Sequence, residues 1–210
     1  FAVKSLNPRI KVYGVQSAGA PSMIQSLKDG RVEMLPSVST IADGIAVKEP
    51  GEHTFEVCKK YVDGIVSVTD DQVCAAILAL IERQKMIAEG AGAVSLAAVM
   101  FGKIPDVTGK KVVCLISGGN IDVTILSRVI NRGLLMSGRT SSLTIELMDK
   151  PGQLVAVSAI IAGCGGNVIG VLHERSNEGT DVNGCYLKIT IETRDFEHIK
   201  QIEDSLKNAG

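Results

Sequence analysis

The chain has 210 residues, 45% of them hydrophobic, enough to build one large domain or two small ones. Its 22 basic and 23 acidic residues leave a formal net charge of −1, which excludes a polyanion such as nucleic acid as the natural partner. Only 3% is aromatic and tryptophan is absent, so no base-stacking platform is on offer either. No apolar run reaches the ~18 residues of a membrane span. The five cysteines (Cys58, Cys74, Cys114, Cys164, Cys185) are widely spaced without a CxxC pair, as expected of buried thiols in a reducing cytoplasm.

Phe1-Ala-Val-Lys-Ser-Leu6 lacks both an initiator Met and a signal-peptide pattern, and reads as the tail of a helix ended by Asn7-Pro8. The expectation is a fragment of a longer protein. Residues 10–15 suit a short buried strand, followed by a loop through Pro21 and a helix that stops at Gly30. Thr40-Ile-Ala-Asp-Gly44 ends in Asp-Gly, ordinary turn punctuation when taken alone. Residues 52–61 read as a helix and 64–68 as a strand. Thr69-Asp-Asp-Gln72 is a capping-box match for a helix with Val73, Ala76, Ile77 and Leu80 on one face.

Glu89-Gly-Ala-Gly-Ala93 is expected to break the helical run, which resumes over 94–100. Residues 112–116, rich in β-branched side chains, predict a strand buried on both faces. With the two upstream strands it should make a parallel sheet of at least three strands. Ser117-Gly-Gly-Asn120 would be its exit turn, and 121–131 a helix capped by Asn120 and closed by Gly133. In an open α/β sheet, ligands sit at the carboxyl ends of strands. There, Gly118 would let backbone approach a flat ligand, and Ser117 would offer one neutral hydroxyl. Taken alone, the four residues favour a plain strand-to-helix turn.

The pattern changes after Asn131. Residues 133–140 form a glycine-bearing linker, separating a first domain (1–132) from a second (141–210). Leu143, Ile145 and Leu147 alternate in a strand, Asp149-Lys-Pro-Gly152 makes a turn, and Leu154, Val157 and Ile161 follow at helical spacing. A second strand over 168–172, a polar loop over 176–183, a third strand (Cys185, Leu187, Ile189, Ile191) and a second helix complete a β-α-β-β-α order. That is a ferredoxin-like unit without its closing strand, the second sign of a fragment. The fold class is α/β. The helix start after Asp149 leaves backbone N–H groups of Gly152, Gln153 and Leu154 free for a carboxylate. Asn167, just before Val168, is expected across the same gap.

Three motifs, Thr40-Ile-Ala-Asp-Gly44, Glu89-Gly-Ala-Gly-Ala93 and Ile116-Ser-Gly-Gly-Asn-Ile-Asp122, stand in the order and spacing seen in threonine ammonia-lyases. The chain resembles these pyridoxal-phosphate enzymes of the tryptophan-synthase-β fold type over nearly its whole length. The resemblance implies a cofactor pocket lined by Gly44, Glu89, Ser117, Gly118 and Asn120, with Ser117 as partner of the ring nitrogen. A hydroxyl does not enforce protonation of that nitrogen, which suits β-elimination. In relatives such as serine racemase a carboxylate pair binds a metal; the matching positions here are Gln16 and Ser22, poor ligands for a hard cation, so no metal is expected. The family's cofactor-linking lysine lies in a Ser-Phe-Lys type motif that this chain lacks. The glycine-rich phosphate loop would precede Phe1, so the chain alone should be inactive.

Asp149-Lys-Pro-Gly152 and Gly165-Gly-Asn-Val168 resemble the ACT domains of amino-acid-regulated enzymes. That resemblance implies an amino-acid effector held by Pro151, Gly152, Gln153, Leu154, Asn167 and Val168, and a homo-oligomer, dimer or tetramer. A relative of serine racemase or serine dehydratase, and a non-catalytic amino-acid-binding protein, are the competing readings.

Overall fold

The computed structural model describes residues 1–175 and 183–209, and the polar loop expected at 176–183 lies outside these apart from Asn183. The chain divides into two compact units, Phe1–Gly133 and Leu134–Gly210. Among the described residues, no helix is long and apolar enough to cross a membrane.

The first unit holds a short helix α1 (Ala2–Leu6), strand β1 (Tyr13–Ser17), helix α2 (Ser22–Asp29) and helix α3 (Glu52–Tyr61). Strand β2 (Gly64–Val68) and helices α4 (Asp70–Ala79), α5 (Gly90–Met100) and α6 (Val123–Met136) follow. β1 and β2 pair in parallel, Tyr13 opposite Gly64 and Ser17 opposite Val68. Thr69 caps α4 reciprocally with Gln72, its side chain taking the Gln72 N–H while Gln72 Oε1 takes the Thr69 N–H. The buried heart of the unit is small-residue packing between α4 and α5: Ala76, Ile77, Ala93 and Ala97 are wholly inaccessible.

Three expectations fail here. Residues 112–116 form no strand, and the sheet of this unit has two strands among the described residues. Val113 is 94% exposed and Leu115 76%. The segment is instead fastened to α5, Ser95 Oγ donating to Leu115 O at 2.8 Å. β-branched composition supplies strand potential, but pairing decides whether a strand forms. The helical run is interrupted over residues 85–89, ahead of the glycines rather than at them; α5 begins at Gly90 with Glu89 as its N-cap residue. The helix expected over 121–131 starts two residues later and runs through the expected linker to Met136. Asp122, not Asn120, occupies its start, its carboxylate taking the Thr124 N–H at 2.7 Å. Gly133 lies inside the helix rather than closing it, because a Cβ there would come within 3.0 Å of Cys74 O and Leu78 Cβ on α4.

The second unit is built from β3 (Thr140–Met148), α7 (Gln153–Gly163), β4 (Asn167–Glu174), β5 (Gly184–Glu192) and α8 (Phe196–Asn208). The sheet order is β3-β5-β4, both pairs antiparallel, which is the ferredoxin-like arrangement of these elements. The alternation read in the sequence sets one face of β5: Cys185, Leu187, Ile189 and Ile191 are all at most 2% exposed. Ile161 of α7 and Ile202 of α8 complete this core.

Candidate active site

The three glycine-bearing motifs of the first unit meet. Gly90 and Gly92, one turn-step apart at the start of α5, face two different loops. A Cβ on Gly90 would lie 2.4 Å from Ile41 O, and one on Gly92 would lie 2.7 Å from Ser117 O. Both obstacles are backbone, so only hydrogen fits. The Glu89 N–H closes the third side, donating to Gly118 O at 3.2 Å.

Gly44 presents bare backbone to the same corner, where a Cβ would sit 3.2 Å from Ala91 Cβ and 3.5 Å from Glu89 Oε1. Gly118 has φ +94°, which L side chains rarely adopt, and its missing Cβ would strike the Glu89 carboxylate at 2.8 Å. Glu89 therefore stands between the two glycines, half-buried, with Ala42 and Ala88 wholly buried behind it. Ser117 and Asn120 are exposed on the segment beside them. Gly44, Glu89, Ser117 and Gly118 are thus brought together, while no contact places Asn120 with them.

Asp70 organises the Thr40–Gly44 loop from below. Its carboxylate takes the Thr40 hydroxyl at 2.6 Å, the Ile41 N–H at 3.1 Å and the Ser17 hydroxyl at 3.4 Å. Sequence reading assigned this helix to structure alone, because a residue inside a capping box gives no hint of a contact 30 positions away. Gln16 and Ser22 do not form a pair: Gln16 Oε1 accepts the Ile24 N–H at 2.9 Å, and Ser22 Oγ is buried without a hydrogen-bond partner among the described residues.

The thiols nearby are not nucleophiles in waiting. Burial pushes Cys58 and Cys114 up and drives Cys74 to about 11, so they stay protonated near neutrality.

The family model for pyridoxal-phosphate dependent enzymes matches residues 1–118. The chain belongs to this family. The L-threonine ammonia-lyase of Thermotoga maritima is 48% identical over 209 residues, 100% of this chain and 52% of that protein. The one from Geobacter sulfurreducens is 41% identical over the same span and share. Among solved structures, the processed form of threonine deaminase isoform 2 from Solanum lycopersicum superposes with a TM-score of 0.57 at 37% identity, covering 63% of this chain and 37% of that one. The chain spans about half the length of the curated relatives it matches.

As a pyridoxal-phosphate dependent enzyme of fold type II, the first unit would be expected to offer a flat ring-binding surface, and its residues fit one. Bare backbone at Gly44 and Gly118 leaves room for a flat ring, with the Glu89 carboxylate as an acceptor and the Ser117 hydroxyl as a donor or acceptor beside it.

The second unit has its own cleft of about 320 Å³, at the end of the sheet where β3 gives way to α7. Pro151, Gly152, Gln153 and Leu154 line it, with Asp149, Lys150, His173, Arg175, Cys185 and Leu187. Gly152, the N-cap residue of α7, has no side chain to occupy the first-turn N–H groups. Asn167 and Val168 are not in this cleft. Asn167 aligns with Glu192 on β5, which aligns with Thr140, whereas the turn follows Met148 at the far end. Eight residues of strand separate the ends, roughly 26 Å. Asn167 Nδ2 instead donates to Glu192 Oε2 at 2.8 Å. Two residues flanking one helix in sequence looked adjacent, but the helix returns antiparallel and carries the second to the opposite edge.

Proposed function

We propose that this chain forms one wall of the active site of a threonine ammonia-lyase, which converts threonine to 2-oxobutanoate and ammonia, and serine to pyruvate, by β-elimination. The observation that carries the reading is the meeting of Gly44, Glu89 and Ser117-Gly118 in a chain matched end to end by two L-threonine ammonia-lyases. Pyridoxal phosphate, when bound, supplies the electron-withdrawing ring that makes the substrate Cα–H acidic.

The chain's own residues set the terms of that binding. Ser117 offers a neutral hydroxyl to the ring nitrogen, and Gly44 and Gly118 let backbone lie against the ring. Glu89, wedged by both glycines, holds a carboxylate at a fixed position on the rim. Small buried side chains behind it, Ala42 and Ala88, exclude water from that side. The lysine and phosphate cradle are proposed to lie in another part of the full protein, so the 210-residue chain alone does not turn over threonine.

The second unit is proposed as an ACT-like regulatory domain whose cleft takes a small aliphatic amino acid, isoleucine or valine, in a cytoplasmic homo-oligomer. The first turn of α7 has no side-chain cap, and its Gln153 N–H makes only a long 3.4 Å contact to Lys150 O, which suits the carboxylate. The test is threonine-dependent 2-oxobutanoate release by the product of the complete reading frame, with calorimetry for isoleucine and valine. Turnover of threonine with heat from either amino acid, abolished by Gly152→Val, supports both halves. A product that loads pyridoxal phosphate but leaves threonine and serine untouched overturns the lyase reading.

A further inference from the structure

The cleft of the second unit contains a donor set that neither catalysis nor amino-acid binding calls for. Asp149 follows β3, His173 lies near the end of β4, and Cys185 lies at the start of β5. One ligand atom from each falls within 4.8 Å of the others. Sheet register explains the convergence: His173 aligns with Leu187 and Cys185 with Leu147, so both side chains meet the turn that Asp149 opens. Cys185 is 2% exposed and lines the cleft, and its thiol makes no hydrogen bond among the described residues.

We propose that Asp149, His173 and Cys185 bind a borderline divalent cation of the zinc type. Thiolate plus imidazole selects such an ion over magnesium or calcium, which take all-oxygen sites. The two negative ligands balance its charge. Three protein ligands leave a fourth tetrahedral position, which opens into the cleft for water.

Arg175 is the obvious objection, since its Nε donates to Asp149 Oδ2 at 2.9 Å. The carboxylate resolves it by having two oxygens. Oδ1 is the one turned to His173, 3.7 Å from Nε2, and it is the oxygen available to the metal. Its contact with the other Arg175 nitrogen is the long one, at 3.4 Å. Arg175 then holds the carboxylate in orientation as an outer partner.

The inference stands apart from the lyase reading and is tested on the whole chain, reduced and stripped of metal. Cobalt(II) should bind one to one with a near-ultraviolet thiolate-to-cobalt band, and zinc should displace it. Cys185→Ser should remove the band. His173→Ala, at the exposed mouth of the cleft and so harmless to folding by circular dichroism, should weaken zinc binding at least about 100-fold, beyond the loss typical of an outer partner. Arg175→Ala, which removes only an outer partner, should weaken it less, by about 10-fold. A band that survives Cys185→Ser, unaltered affinity in His173→Ala, or no band in excess cobalt(II) would each overturn the site.

Discussion

Asp70 receives the Thr40 hydroxyl at 2.6 Å, and through that bond helix α4 holds the loop that presents Gly44 to Glu89. The same carboxylate takes the Ile41 N–H, so the loop is pinned at two successive residues. Asp70→Ala should therefore destabilise the first unit by about 1.5–3 kcal/mol, the usual range for hydrogen bonds to a charged group. Thr40→Val, which removes the Thr40–Asp70 bond and the Ala42 N–H contact to the Thr40 hydroxyl but leaves the Ile41 and Ser17 bonds to Asp70, should cost less. Urea denaturation of both variants checks the order; equal, negligible losses would mean the loop is held by its packing alone.

Gly90 and Gly92 interlock with backbone rather than side chains, so neither neighbour can rotate away. Gly90→Ala and Gly92→Ala should each cost about 1–3 kcal/mol as overpacked positions. Gly51→Ala, whose Cβ would meet a single threonine hydroxyl at 3.4 Å, serves as the mild comparison. Thermal midpoints should fall clearly for the first two and little for the third.

Acid should loosen the attachment of α1. Lys4 Nζ lies 2.6 Å from Asp63 Oδ2, and the Val12 N–H donates to the same oxygen at 2.7 Å. Together, Lys4 first, then Val12, and Lys11 less, they hold the Asp63 carboxyl down at about 2. A depressed carboxyl stabilises the fold fully above its unfolded value near ~4, and that contribution is lost as pH falls through ~4 toward 2. The thermal midpoint of Asp63→Asn should already be lower at neutral pH and change less over this window than that of the native chain. Parallel acid profiles would contradict the linkage.

Ser22 Oγ is buried without a hydrogen-bond partner among the described residues, and a hydroxyl in that state lowers stability. Ser22→Ala should leave the chain as stable or stabilise it, by up to about 1 kcal/mol. A clear loss on the same measurement would show that the hydroxyl has a bound partner such as water.

What the sequence disclosed followed the range of each interaction. The Thr69 capping box and the alternation from Cys185 to Ile191 are local patterns, and both appear as read. Residues 112–116 carry the composition of a buried strand, but composition cannot report whether a neighbour is there to pair with. The glycines of the Glu89 motif looked like helix breakers, yet they are contact points at a helix start, a distinction that depends on Ile41 and Ser117 from distant stretches. Asn167 was misplaced because helix length and direction, not sequence proximity, fix the end of the sheet where a residue emerges. Asp70 and His173 left no signal at all, since their partners are set only by tertiary register.

The most direct test of the account is the Ser117→Ala variant of the full-length protein, compared with wild type for cofactor content and for kcat/KM on threonine. Losing one hydrogen-bond partner of the ring, once the cofactor covers it, is worth about 1–3 kcal/mol, roughly 5- to 150-fold in rate. The account predicts that the variant keeps its pyridoxal phosphate and loses rate within that range. A variant that retains both cofactor and full kcat/KM would show that Ser117 is only a turn residue and that this wall does not face the ring.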